Sequence, residues 1–273
     1  MNKINLAVLY LEYPSGKYPN SWDTLNMYLK SLYNHCNISI IRINNMNDSN
    51  DYHCQVCHQQ LMTSEYNNYS MPIYNISGSN SEWEFSGFQK GINFIKENNI
   101  EYDAILVVND SFVKAEYHIL KNMFSINTIK GCIQENAMVG RIDRLDYAEQ
   151  FRNHLYTIDG NDVVSWIRTC CFYLPKDIIN NINMVSYKQN DLTKFISSKY
   201  NGRYFLHNCP MSQNMQRQMI AWLTKYWDQK FVIEENWDLW IMKVLCMINE
   251  KMLYRQVYDQ NFRIYDYSEF INE

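Results

Sequence analysis

The chain has 273 residues, 47% of them hydrophobic, and 25 Lys and Arg against 29 Asp and Glu give a net charge of −4. That length supports one large domain or two small ones with a sizeable core. No apolar run approaches the roughly 20 residues of a bilayer span. No dense Lys/Arg cluster offers phosphates a basic face, so nucleic acid is not expected as a partner.

Leu6 to Leu11 is a short apolar run of β-compatible residues, closed by turn chemistry in Glu12-Tyr13-Pro14-Ser15-Gly16. No basic cluster precedes it and no small-residue cleavage site follows. It therefore reads as a strand rather than a signal peptide, and the expected location is the cytoplasm. Leu25, Tyr28, Leu29 and Leu32 recur at helical spacing, with Ser21 and Asp23 as caps. Ile38 to Ile43 predicts a second strand and Met71 to Ile76 a third, separated by a polar, irregular stretch with a short helix near Leu61. Ser77 to Asn80 is a loop, Phe88, Ile92 and Ile95 space a helix to about Asn98, and Tyr102 to Phe112, "YDAILVVNDSF", holds a fourth strand.

Strands and helices so alternated imply parallel strands covered on both faces. Parallel strands are buried on both sides and read as unbroken apolar runs, as "AILVV" does. The second half is less regular. Val113 to Phe124 reads as a helix, Ala137 to Ile142 and Val163 to Tyr173 as strands, and Pro175 to Ile182 as a helix with proline at its entry. Tyr204 to Leu206 is a short apolar segment. Two more helices are spaced by Met215, Met219, Trp222, Leu223 and Tyr226, and by Leu239, Trp240, Val244, Met247 and Ile248. No linker or repeat interrupts the chain. The expectation is one continuous α/β domain, with a nucleotide-binding half over 1–130 and an acceptor-binding, partly helical half over 131–273.

In open parallel sheets ligands bind beyond the carboxyl ends of the strands. Asn109, Asp110 and Ser111 lie at such an end, where a carboxylate holds a divalent cation or a ribose hydroxyl. The plainer expectation makes Asp110 the N-cap of the helix that follows.

Three segments, "YNISGSN" (74–80), "EFSGFQKGINFI" (84–95) and "YDAILVVNDSF" (102–112), resemble the GT-A-fold bacterial glycosyltransferases of polysaccharide and rhamnan synthesis in order and distance, over about Leu6 to Phe124. The resemblance implies a Rossmann-type, mostly parallel sheet and transfer of a sugar from a nucleotide-sugar to a surface glycan or lipid-linked glycan. It implies a donor pocket lined by Asn75, Asn80, Glu84, Phe85, Gly87 and Gln89, with Asn109, Asp110 and Ser111 where those enzymes carry D-x-D. Gly87 would let backbone approach the donor. With one acid in place of two, either a metal, Mg or Mn, is held mainly by the diphosphate with Asp110 as its one strong protein ligand, or cationic side chains do that work without a metal. His207 matches a late histidine that some relatives give to the metal, the commoner alternative being an ordinary packed or surface residue. The general base would come from Glu234, Glu235 or Asp238 at the head of a late helix. The alternative there is that these acids only favour the helix N-terminus. Arg168 and Thr169 are candidates for the phosphates, with a surface ion pair the equal alternative for Arg168.

Two other functions stay open. A nucleotidyltransferase has a related sheet but opens with a Gly-rich basic loop, whereas "EYPSGKYP" has one Gly and one Lys. A nucleotide- or glycan-binding module that lacks the second acid is the non-enzymatic alternative.

His53-Cys54-Gln55-Val56-Cys57-His58 contains C-x-x-C-H, a haem-attachment or zinc pattern. With no export signal and no second C-x-x-C, free thiols are the plainer reading, and the other six cysteines are scattered. Trp222, Trp227, Trp237 and Trp240, with Lys225, Lys230 and Lys243 among them, form either an anchor at the inner membrane face or helix core, and aromatic residues at helical spacing are more often core.

Overall fold

The computed structural model describes residues 2–13, 16–45, 55–57, 71–115, 117–145, 156–163, 165–225 and 235–270. Its centre is an eight-stranded sheet. The strands are β1 (Ile4–Glu12), β2 (Cys36–Asn44), β3 (Gln55–Cys57), β4 (Ile73–Ser77), β5 (Ala104–Asn109), β6 (Ala137–Arg144), β9 (Ser165–Pro175) and β10 (Arg263–Asp266). A separate small hairpin joins β7 (Thr157–Ile158) to β8 (Asn161–Asp162).

The sheet order is β10-β6-β9-β5-β1-β2-β4-β3. β1, β2, β4 and β5 are parallel neighbours, and β6 pairs parallel with β10. β9 runs antiparallel to both β5 and β6 and therefore aligns those two, while β3 runs against β4 at the edge. The predicted mostly parallel α/β sheet is thus what forms. The second half of the chain supplies β6, β9 and β10 to that same sheet.

Alternation along β1 divides the core. Leu6, Val8 and Tyr10 face one side with Leu106, Val108 and Tyr173, under α1 (Ser21–Lys30), α3 (Tyr117–Met123) and α4 (Ile126–Gln134). Ala7, Leu9 and Leu11 face the other with Ile105 and Val107, under α2 (Glu84–Glu97), α5 (Lys176–Asn181) and α7 (Trp237–Asp259). All six residues of β5 are buried, as a strand covered on both faces must be. At about 1.5–3 kcal/mol for each buried aliphatic side chain, this double burial dominates the stability of the sheet.

A third apolar layer lies outside the sheet. It gathers Ile158, Val163, Leu192, Phe195, Met215, Met219 and Leu223 around Trp237, Trp240, Val244 and Ile248. α6 (Gln213–Lys225) belongs to it. α7 is shared: its first half packs in this layer, and Cys246, Leu253 and Val257 pack on the sheet. A helix covered on two sides must be apolar nearly all round, which is how α7 reads. Trp237 is 5% exposed and Trp240 fully buried, so these two tryptophans are core, the commoner of their two expected fates. Trp227 and Lys230 lie outside the described residues, and no described helix is long and apolar enough to cross a membrane.

Several boundaries differ from the sequence expectation. The helix expected over 113–124 is a 3-10 turn, Asp110–Lys114, followed by α3. The strand expected over 163–173 begins at Ser165 and runs to Pro175. α4 was not foreseen, although Ser125 caps it by accepting from the Thr128 amide at 3.1 Å. α7 continues to Asp259, and β10 then returns to the sheet.

Candidate functional site

The carboxyl ends of β1, β2, β4 and β5 meet the start of α2 and the middle of α7, and polar side chains converge there. Asp110 begins the 3-10 turn after β5 and is 5% exposed. Its Oδ2 accepts from the Tyr13 amide at 3.1 Å. Burial pushes its carboxyl up to about 6, with Glu12 and Glu84 adding to the rise and the Tyr13 and Ser111 amides opposing it. The cap of the turn is Asn109, not Asp110: Asn109 Oδ1 accepts from the Ser111 amide at 3.1 Å and from the Ser111 hydroxyl at 2.6 Å. Capping is satisfied by the neighbour, so Asp110 is left facing the end of β1.

Glu12 is engaged bidentately by Arg42, at 2.8 and 2.9 Å, and the Arg42 guanidinium lies 4.8 Å from the Trp22 ring. Asn45, just past β2, is 1% exposed. Its amide donates to Asn80 Oδ1 and to the Trp83 carbonyl, both at 3.0 Å, and its Oδ1 accepts from the Asn80 amide at 3.1 Å. It thereby fixes the whole loop between β4 and α2. Asn80 and Trp83 in that loop hold positive φ angles of 51° and 58°, a costly conformation for a residue as bulky as tryptophan. The Tyr13 ring lies 6.1 Å from that of Trp83, and burial raises the Tyr13 hydroxyl far above its usual range.

Glu84 heads α2, where the helix dipole favours its charge. It accepts from the Thr169 hydroxyl at 3.1 Å and from the Cys246 thiol at 3.3 Å. Glu250 accepts from the Thr169 amide at 3.3 Å. Thr169 reaches both carboxylates because β9 bulges: the register with β6 passes from Gly140↔Phe172 to Ile142↔Ile167, leaving extra residues on β9. A bulge of this kind re-aims side chains at a sheet's end. Lys243 closes the cluster, with Nζ 3.9 Å from Cys246 Sγ and 5.2 and 5.7 Å from the Trp83 and Trp222 rings. Burial opposes its charge, but Cys246, Glu84 and Glu250 outweigh burial and raise its pKa.

The expected donor residues divide. Asn80, Glu84, Asn109, Asp110 and Ser111 gather at this edge. Phe85 is fully buried, edge-on to Phe88 at 6.5 Å, and cannot line a pocket. Gly87 serves packing, not donor approach: a Cβ there would lie 2.3 Å from Leu11 Cδ1 and 3.1 Å from Asn45 Oδ1. Gln89 is one turn further along α2, where its Oε1 accepts from the Met184 amide at 2.9 Å and its amide donates to Asn93. Asn75 pairs within the sheet between Arg42 and Gln55.

The expected bases lie elsewhere. Glu234 is outside the described residues. Glu235 and Asp238 line a cleft at the head of α7. Eight residues of helix separate Asp238 from Cys246, roughly 12 Å along the axis, whereas direct proton transfer needs about 3 Å. They are therefore not within reach of Glu84. Arg168 pairs with Asp143 at 2.8 Å rather than pointing free toward a phosphate.

His207 is exposed in a turn of the outer layer and does not join Asp110. Among the described residues no three His, Cys, Asp or Glu side chains gather as ligands. Asp110 Oδ2 accepts from the Tyr13 amide, and both Glu12 oxygens are held by Arg42. His53, Cys54 and His58 are outside the described residues, and the cysteines at 36, 132, 170, 171, 209 and 246 are free thiols.

Asn45, Tyr13 and Glu250 were missed, and Thr169, expected at the phosphates, bonds Glu84 and Glu250 instead. The first two had a signal: β2 runs into Asn44-Asn45 and β1 into Glu12-Tyr13, just as β5 runs into Asn109-Asp110. Glu250-Lys251 was legible as the one charged pair in the apolar run "VLCMINEKML". Neither a family model nor a curated protein matches the chain.

Proposed function

We propose that the protein is a glycosyltransferase that takes a sugar from a nucleotide-sugar donor held at the carboxyl edge of β1, β2, β4 and β5. The observation that carries the reading is the convergence there of Tyr13, Asn45, Asn80, Glu84 and Asp110 from the segments that follow four strands of a mostly parallel sheet. Open sheets of this kind bind ligands beyond the carboxyl ends of their strands. Asn and carboxylate side chains suit the hydroxyls of ribose and hexose, and Asp110, with a pKa of about 6, is mostly ionised at neutral pH.

Two cations stand on the segments that follow β1 and β5. Lys17, in the loop after β1, and Lys114, at the end of the 3-10 turn, lie 5.8 and 5.5 Å from the Tyr18 ring centroid. On this reading they face the diphosphate and stabilise its charge as the glycosidic bond breaks. A hard cation, where one takes part, comes with the diphosphate. The acceptor is a surface glycan or lipid-linked glycan.

One observation favours a second reading, a binding module without turnover: Asp110 is 5% exposed, a covered position for a group that must meet substrate. Thermal-shift and donor-hydrolysis panels with UDP-, GDP-, dTDP- and CMP-sugars, with and without Mn, separate the two. Turnover of one donor, lost in Asp110→Asn, supports transfer. Stabilisation without turnover supports the module. No response to any donor rejects both.

A further inference from the structure

Away from the sheet edge, the first turn of α7 and the segment 198–200 enclose an open cleft of about 410 Å³, lined by Ser198, Lys199, Tyr200, Glu235, Trp237 and Asp238. Its volume falls within the range of sites for small ligands. The cleft lies in the outer apolar layer and is distinct from the polar cluster around Asp110.

Its floor is a braced aromatic stack. Tyr200 is half-buried, with its ring centroid 5.1 Å from that of Trp237. Trp237 stacks on fully buried Trp240 at 6.2 Å with an interplanar angle of 7°, and Tyr204 meets Trp240 at 4.8 Å. The Trp237 indole N–H donates to the Ser197 carbonyl at 2.9 Å, which fixes the ring. Tyr200 is thus a platform that loses little freedom when a ligand settles on it. Around it stand exposed polar groups of two kinds: the Glu235 and Asp238 carboxylates accept, and Lys199 and Ser198 donate.

An apolar ring face beside paired acceptors and donors matches a pyranose, whose C–H face stacks while its hydroxyls bridge the rim. Two carboxylates against one ammonium leave the rim net negative, which repels anionic sugars. We propose that this cleft binds a neutral oligosaccharide. That the saccharide is the acceptor of transfer rests on the function proposed above; the binding itself does not. α7 connects the two places, since its first turn lines the cleft and its third carries Cys246 to Glu84.

The test is ligand-observed saturation-transfer NMR on the full chain. The probes are maltotriose, mannotriose and chitotriose as neutral sugars, and sialyllactose and trigalacturonate as acidic ones. At least one neutral trisaccharide gives signal and the acidic ones give several-fold less. Tyr200→Ala lowers the neutral signal at least tenfold and Tyr200→Phe retains it, while Asp238→Asn lowers it several-fold with the chain still folded, its unfolding midpoint falling by no more than the loss of one helix-end charge explains. Silence from all three neutral probes overturns the proposal. So does an undiminished signal in folded Tyr200→Ala, or equal binding of the acidic probes. A parallel titration with UDP, GDP, dTDP and CMP reads the donor site: saccharide binding without any nucleotide binding leaves the cleft standing and rejects the transferase.

Discussion

Thr169 donates its hydroxyl to Glu84 Oε1 at 3.1 Å while its own amide donates to Glu250 Oε1 at 3.3 Å, so one residue of a β-bulge satisfies two carboxylates from two helices. An acceptor buried without its donor costs about 1–3 kcal/mol. Thr169→Val, which keeps the shape and removes the hydroxyl, should destabilise the protein by about that amount in urea unfolding. Thr169→Ser, which keeps the hydroxyl, should recover most of the loss. Equal stability of the Val and Ser variants would show that the contact to Glu84 contributes nothing.

Gly78 faces Asn45 so closely that a Cβ there would sit 2.3 Å from Asn45 Oδ1 and 2.9 Å from its Cα. The side chain can rotate away, but the backbone atom cannot. Gly78→Ala should therefore cost about 1–3 kcal/mol of stability and, by displacing the bonds from Asn45 to Asn80 and Trp83, weaken binding at the sheet edge. Adding Asn45→Ala removes the 2.3 Å conflict and leaves the 2.9 Å one. The double variant should remain less stable than Asn45→Ala alone in the same unfolding assay.

Much of this arrangement was legible because strand burial writes itself into sequence. β1, β2 and β5 are apolar runs that end in polar residues, and those ends are where the site forms. What was illegible came from two sources. Gly87 and Phe85 sit within a loop-helix segment whose polar residues suggested a pocket, but helical rotation turns them onto Leu11 and Phe88. Thr169 and Glu250 meet only because β9 runs antiparallel and bulges, a pairing between positions 81 apart that no local pattern announces. The same bulge takes Arg168 to Asp143 instead of toward a ligand.

The Asp110 carboxyl is raised by burial from 3.8 to about 6. An acid whose folded pKa lies above its unfolded one prefers to be protonated in the native state. Its ionisation costs stability above pH 6, and the cost fades as pH falls from about 6 to 4. Asp110→Asn should thus be more stable than the parent at pH 7–8, by on the order of 1–2 kcal/mol once solvent screening is allowed for. The difference should vanish near pH 4. Transfer runs the opposite way: if the ionised carboxylate holds the substrate, activity should fall about tenfold per pH unit below 6. A stability difference that is constant across pH would exclude a raised pKa.

Lys251 is 1% exposed, with Nζ 3.9 Å from the centroid of the Trp166 ring, and burial lowers its pKa while Glu250 opposes that fall. Glu250 is raised by burial, with Lys251 the chief opposing charge. Each ion is therefore tolerated because of the other. Removing one leaves an uncompensated charge in the interior, typically about 3–5 kcal/mol, whereas replacing both with neutral groups is often close to neutral. Lys251→Met and Glu250→Gln should each be destabilising: the first leaves Glu250 with only Lys243 and Thr169, and the second leaves Lys251 without its chief opposing charge. The double variant should be more stable than Lys251→Met alone, giving a coupling of about 1–3 kcal/mol in a double-mutant cycle. Strictly additive losses would mean that the two charges are screened from each other, and that Trp166 rather than Glu250 keeps Lys251 in place.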